Sequence, residues 1–286
     1  MTLPSDFDIG QMRIDEAEVL DLWATAEGWN PGLGDLSFAY GIDPEAFIAL
    51  RKGDRMVGGG SIFRHNASTG FMGLFILHPD YRKRGLGSIL WRFRRDRLID
   101  RLGNDASIGM DGVLDMVPFY MKGGFHQHHL NIRYQGVAKA SAPADCIDLS
   151  DLKTSQVLAL DHACFGSDRA GFMTAWLSRP GMLGAGIVEG DRLTGFALAR
   201  PSKIGHKIGP VYASNPQQAT RLLDDLCSRI VGKQVQIDAP DVNPDAEALF
   251  SARGWLPVFR CARLYLGTAP NANLGATYGV CSLEFG

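Results

Sequence analysis

Arg82, Lys83 and Arg84 stand directly before Gly85-Leu86-Gly87-Ser88. Three full positive charges attract an anion. Two glycines let the backbone approach it closely and turn successive N–H groups toward one point. A helix beginning at Ser88 would add the partial positive charge of its first turn. Together these features point to a pyrophosphate. The stretch is not a nucleoside-triphosphate loop, because no Gly-Lys-Ser/Thr ends it. Nor is it the dinucleotide fingerprint, whose first glycine is replaced here. The competing reading is a basic helix cap with no ligand. A second group, His126, His128 and His129, invites a metal. Alternation places His126 and His128 on one strand face, but no cysteine or further histidine at ligand spacing joins them, so no metal is expected.

Positioning the loop requires a strand before it and a helix after it. Phe71 to Leu77 reads as a buried strand ended by Pro79 and Asp80. Ser88 to Leu102 reads as a helix with apolar Ile89, Leu90, Phe93 and Leu98 and basic Arg92, Arg94, Arg95 and Arg97. Earlier, Lys52-Gly53-Asp54-Arg55 carries the Gly-Asp signal of a hairpin. It returns as Glu189-Gly190-Asp191-Arg192, 137 residues on, and in both places an apolar run ending in an arginine follows. Phe119-Tyr120-Met121-Lys122-Gly123-Gly124-Phe125 returns as Leu249-Phe250-Ser251-Ala252-Arg253-Gly254-Trp255, 130 residues on. A repeat this long marks duplicated domains rather than a solenoid. The expected halves are 1–137 and 145–286, joined by an Ala/Ser-rich linker containing Pro143. Each half opens with helical segments (Glu16 to Glu27; Thr154 to Cys164) and then interleaves strands and helices, which predicts an α/β or α+β fold.

The order strand, His78-Pro79-x-Tyr81-Arg82-x-x-Gly85-x-Gly87-Ser88, helix resembles the coenzyme A-binding motif of the GNAT superfamily of N-acetyltransferases. Tyr120, 35 residues after Gly85 and followed by Gly124-Phe125, falls on that family's second landmark. The resemblance covers nearly the whole chain and is closest to bacterial tandem GNAT proteins. It implies two tandem folds, each a mixed, mostly antiparallel central sheet flanked by helices. The second copy departs from the pattern: Ser214 to Ala219 replaces the loop with neither glycine nor cation, and Phe250 stands where Tyr120 stands. The first half is therefore expected to be the catalytic domain that binds acyl-CoA, and the second a degenerate copy.

The resemblance further implies acetyl-CoA as co-substrate, bound by Phe75, Ile76, Leu77, Arg82, Lys83, Arg84, Gly85, Leu86, Gly87 and Ser88. Backbone N–H groups of the Phe75 to Leu77 strand would serve the oxyanion and the pantetheine. An amine acceptor must lose a proton before attack, and Tyr120, neutral at pH 7, could protonate the departing thiolate. The strand before the loop carries no acid. Asp111, read as ending its strand, is the first choice of general base; a solvated turn-initiating Asp and a water chain are the alternatives. Glu27-Gly28-Trp29-Asn30-Pro31-Gly32-Leu33-Gly34-Asp35 sets an aromatic and two acids on a glycine-rich loop, which suits a cationic amine, so Trp29, Asn30 and Asp35 are the candidate acceptor residues. A surface loop with Trp29 packed inward is the other reading.

Composition bounds the rest. The 286 residues are 45% hydrophobic and 21% charged, enough apolar material for two cores. A net charge of −2 gives no global field for nucleic acid or an anionic membrane. Apolar runs are short and the first residues are polar, so neither a spanning helix nor a secretion signal is expected. Five scattered cysteines without a Cys-x-x-Cys pair suggest reduced thiols and a cytoplasmic location. The expected function is acetyl transfer to a primary amine of a small molecule. The alternatives are a protein amine as acceptor, or a non-catalytic acyl-CoA sensor or scaffold. A homodimer is left open.

Overall fold

The computed structural model describes residues 2–103, 105–141 and 145–286; Pro143 of the expected linker lies outside the described residues. In the first half, β1 (Phe7–Gln11), α1 (Ile14–Ala26), α2 (Asp35–Ile42), β2 (Phe47–Lys52), β3 (Arg55–Arg64), β4 (Thr69–Leu77), α3 (Leu86–Leu102), β5 (Ser107–Val113), α4 (Val117–Lys122) and β6 (His126–Val137) follow in order. The second half runs β7 (Ile147–Asp148), α5 (Thr154–Phe165), α6 (Ala170–Leu177), β8 (Leu183–Glu189), β9 (Arg192–Pro201), β10 (His206–Ala213), α7 (Pro216–Arg229), β11 (Gln234–Pro240), α8 (Pro244–Ala252), β12 (Leu256–Leu266) and β13 (Thr277–Gly279). Both Gly-Asp hairpins form, and Gly53 and Gly190 take the left-handed φ values, 56° and 60°, that two-residue turns require.

The strands make a mixed, mostly antiparallel sheet flanked by helices, in the order β1-β2-β3-β4-β5-β12-β6-β11-β10-β9-β8-β7, with β13 beside β10. Each half has given one strand to the other, β6 from the first and β12 from the second. β12 of the second half pairs with β5, and β6 of the first half pairs with β11. The two exchanged strands then pair with one another, Asn131 opposite Cys261. These residues are 130 apart, the repeat interval of the Gly124 and Gly254 landmarks, so a pseudo-two-fold axis passes between them. The boundary at 137–145 thus divides the repeats along the chain but not in space.

Helix α3 buries Leu86, Leu90, Trp91, Arg94 and Leu98 against the sheet and leaves Phe93 39% exposed. The apolar face expected from Phe93 is therefore displaced; the buried stripe follows an i, i+4 spacing, 86-90-94-98, with an arginine in it.

Candidate active site

The site opens where the parallel pairing of β4 and β5 stops. Thr69 to Met72 pair with Ser107 to Met110, and no β5 residue pairs with β4 beyond that point. Leu74, at φ 55°, and a register break opposite Gly60 mark a bulge that turns the β4 backbone outward. The gap broadens into a cavity of about 510 Å³. Phe75, Ile76, Leu77, Arg82, Lys83, Gly85, Gly87 and Ser88 line it from the first half, with Asp111 and Tyr120. Arg133, Phe259, Cys261, Leu283 and Glu284 line it from the exchanged strands and the chain's last residues.

The loop is shaped by two left-handed residues, Lys83 at φ 61° and Gly85 at φ 78°, the latter capping α3. Ser88 and Ile89 donate to the Gly85 carbonyl, so the N–H groups of Leu86 and Gly87 are the orphan donors of the first turn. The cations divide their tasks. Lys83 lines the cavity with no carboxylate partner among the described residues. Arg82 instead donates to the Leu77 carbonyl at 2.9 Å and pairs with Glu27, fastening the loop to the end of α1. Arg84 stacks on Tyr81, 5.4 Å from the ring centre, and does not line the cavity; Leu86 is a core residue, 2% exposed. Direct contact with the ligand is thus withdrawn from Arg84 and from the Leu86 side chain.

Tyr120 sits on α4 with its ring laid across Gly112 of β5. A Cβ at Gly112 would come within 2.6 Å of that ring. Burial pushes the phenol up to about 12, against the pull of Arg94, so the hydroxyl is protonated at neutral pH and can donate. Asp111 does not end its strand. It lies inside β5, where Arg263 holds it with Nε at 2.9 Å and Nη2 at 2.7 Å, and Asn131 donates a further bond at 2.8 Å. Burial raises this carboxyl, while Arg263 and Asn131 oppose the rise. A raised carboxyl suits a base, but three of its lone pairs are already taken by Arg263 and Asn131. Asp111, the first choice of general base, is neither a strand end nor a solvated turn residue but one half of a buried ion pair. Glu284, 3% exposed, and Glu27, paired with Arg82, are the cavity's other carboxylates.

The loop proposed for the acceptor divides likewise. Trp29 lines the cavity, and its carbonyl accepts from Arg133. Asn30 instead bonds Ser202, Gln236 and the Ile204 backbone, and Asp35 is fully buried between Arg200 and Arg179. Burial would raise Asp35, but the two guanidinium groups hold it below the usual carboxylate range. Asn30 and Asp35 therefore clasp the two halves together rather than meeting an acceptor. The histidines also differ from a simple alternation. A bulge at Arg263/Leu264 brings His128 and His129 together, Nδ1 to Nδ1 at 2.9 Å, while His126 faces solvent. Among the described residues no group of three or more His, Cys, Asp or Glu could hold a metal.

The equivalent gap in the second half is filled by the chain itself. β10 and β11 pair only from His206 to Ile208. Beyond, β13 pairs with β10 and Val280 donates to the Asp238 carbonyl at 2.8 Å, closing the space from both sides. Asn215 accepts the Gln218 N–H with its own side chain, and Pro216 lacks a donor, so the helix start is self-satisfied. Phe250 is fully buried and stacked on Trp255. Asp238, the counterpart of Asp111, lies under Arg133 and Lys207, which outweigh burial and hold it low.

Two residues escaped the sequence reading. Glu284 follows both repeat landmarks and reaches the site only through tertiary structure. Arg94 stands in the sequence as one of several basic residues of its helix, and only the 86-90-94-98 spacing sets it apart.

The chain is similar to known proteins in sequence and in fold. The family model for the acetyltransferase (GNAT) family matches residues 14–125, and that for the acetyltransferase (GNAT) domain matches 157–279. Holothin acyltransferase of Pseudoalteromonas sp. (strain SANK 73390) is 28% identical over 276 residues, covering 96% of this chain and 92% of that protein. A solved chain from Pyrococcus horikoshii superposes with a TM-score of 0.83 at 21% identity, covering 100% of this chain and 98% of its own. A tandem GNAT protein from the clavulanic acid biosynthesis pathway gives 0.63 at 18% identity, covering 96% and 99%. Among the described residues no helix is long and apolar enough to cross a membrane.

Proposed function

For a chain that belongs to the GNAT superfamily and carries two such domains in tandem, we propose acyl transfer from a coenzyme A thioester to a primary amine of a small molecule. The observation that carries this reading is the β4/β5 gap, into which the phosphate loop, the freed β4 backbone and the Tyr120 hydroxyl converge. Pyrophosphate lies against the Leu86 and Gly87 N–H groups and Lys83. The pantetheine arm runs down the gap and presents its thioester carbonyl to β4 N–H groups. The amine, stripped of its proton, attacks the carbonyl carbon. The carbon–sulfur bond breaks, the thiolate takes the Tyr120 proton, and the proton shed by the new amide nitrogen passes to solvent, from which the tyrosine is restored.

The second half completes the acceptor side. Phe259, Leu283 and Glu284 of the second half line the gap with Arg133 of the exchanged β6, which supports a small amine over a protein surface. Glu284 receives the ammonium and takes its proton; Trp29 offers an aromatic face beside it. Acetyl-CoA is the shortest donor the cleft takes. The relative named for acylating holothin supports acyl transfer as the class.

The test is a free-thiol assay of CoA release across a panel of small amines and a lysine-rich protein, with product mass measured. Acylated small amines support the reading. Acylation of the protein alone transfers it to a protein acceptor, and tight thioester binding without any product replaces enzyme by sensor.

A further inference from the structure

Arg94 is 1% exposed and lines the cavity beside Tyr120 and Phe75. Its Nη2 donates to the Ser61 and Gly73 carbonyls at 2.6 and 2.5 Å. Its Nε and Nη1 have no partner, and no carboxylate pairs with it among the described residues. The structure makes room for it: a Cβ on Gly60 would come 2.4 Å from the guanidinium carbon, and the group lies 5.4 Å from the Phe75 ring centre.

A guanidinium taken out of water without a counter-ion is costly. Burial already draws this one down to about 10, with only a neutral Tyr120 opposing. Its neighbours along the stripe are leucines, so a fourth leucine would fit the helix. The pyrophosphate end is served by Lys83 and the start of α3, two turns away along the helix, so Arg94 sits deeper, toward the acyl end. The thioester carbonyl already has β4 backbone donors. What remains unmatched is a positive charge on the floor of the acyl pocket.

We propose that Arg94 receives a carboxylate at the far end of the acyl group, so that the preferred donor is the CoA thioester of a short dicarboxylic acid. This rests on reading the cavity as an acyl-CoA site. The two bare nitrogens, Nε and Nη1, and the positive charge would then be matched when donor binds, by charge-assisted hydrogen bonds in a dry pocket.

Calorimetry of the full chain with CoA, acetyl-CoA, butyryl-CoA and succinyl-CoA tests it, because butyryl and succinyl share a four-carbon chain and differ chiefly in the terminal carboxylate. Succinyl-CoA should bind roughly 10- to 100-fold tighter than butyryl-CoA. Arg94→Leu should invert that order and leave acetyl-CoA within a few-fold; Arg94→Lys should keep part of the preference. Equal affinities in the unaltered chain overturn the proposal, as does an Arg94→Leu variant that loses all thioesters alike. Should Arg94→Leu not fold, the succinyl-to-butyryl ratio of the unaltered chain still decides. Binding of none of the four ligands would instead overturn the acyl-CoA reading itself.

Discussion

Arg263, carried by a strand of the second half, holds Asp111 of the first half through Nε and Nη2 at 2.9 and 2.7 Å. Its repeat counterpart, Arg133, holds Asp238 in the opposite direction at 2.7 and 3.0 Å. The pairs are related by the pseudo-two-fold axis, and each gives one member to the cavity, Asp111 from the first and Arg133 from the second. Arg263→Ala would leave Asp111 buried without its counter-charge. It should cost about 3–5 kcal/mol of stability, read by denaturant unfolding. Asp111→Asn should likewise act mainly on stability, whereas Glu284→Gln should lower kcat in single turnover with the fold unchanged. An unchanged single-turnover rate for Glu284→Gln would remove Glu284 from the proton path.

CoA thioester should bind once per chain. β13 and Val280 occupy the second gap, and Asn215 satisfies the helix start there. Calorimetric stoichiometry near two would contradict this.

Gly87→Glu should abolish thioester binding while circular dichroism stays unchanged. A Cβ at Gly87 has 3.1 Å to Leu77 Cδ1, a contact that flexible side chain can relieve, but the carboxylate would sit where pyrophosphate belongs. Retained affinity in a folded variant would show that the phosphates lie elsewhere.

Tyr120→Phe should leave thioester affinity nearly unchanged and lower kcat roughly 10- to 1,000-fold, measured in single turnover. The ring, and its packing over Gly112, survives; only the proton for the thiolate is lost. With the phenol near 12, the alkaline limb of the unaltered enzyme below pH 10 should not report Tyr120. An unchanged single-turnover rate removes the hydroxyl from the mechanism.

Acid should destabilise the fold through His65 and His129, both drawn down to about 3, chiefly by burial. Between that value and the unfolded value near 6.5 the unfolded chain binds more protons, so this stability is present above about pH 6.5 and lost as pH falls toward 3. His65 lies among Phe63, Phe165 and Phe172 and bonds the Phe285 carbonyl at 2.7 Å. Tm should fall from pH 7 to pH 4, and less steeply in His65→Phe. Parallel slopes would refute a part for His65.

The phosphate loop was legible because it is local: strand, cations, glycines and helix adjoin in sequence. The duplication was legible because landmarks survive in both copies. The strand exchange was not, since β6 and β12 look the same whichever sheet receives them. Asp35 shows the same limit. An acid on a glycine-rich loop advertises a cation, and nothing nearby in sequence reveals that Arg179 and Arg200 supply it. Arg94 was not singled out for another reason: one cation among several looks like the rest until the four-residue spacing of its leucine neighbours is weighed.

The exchanged strands also set the order in which the molecule can be finished. As the chain leaves the ribosome, the first half emerges with its phosphate loop and Tyr120 but with the far edge of β5 bare, since β12 lies some 150 residues downstream. Until then Asp111 has no guanidinium and the sheet edge has no cover, a state prone to pairing with other nascent chains. The edge of β5 is therefore covered late, and a chain stopped before residue 256 would leave it open to pairing with other strands.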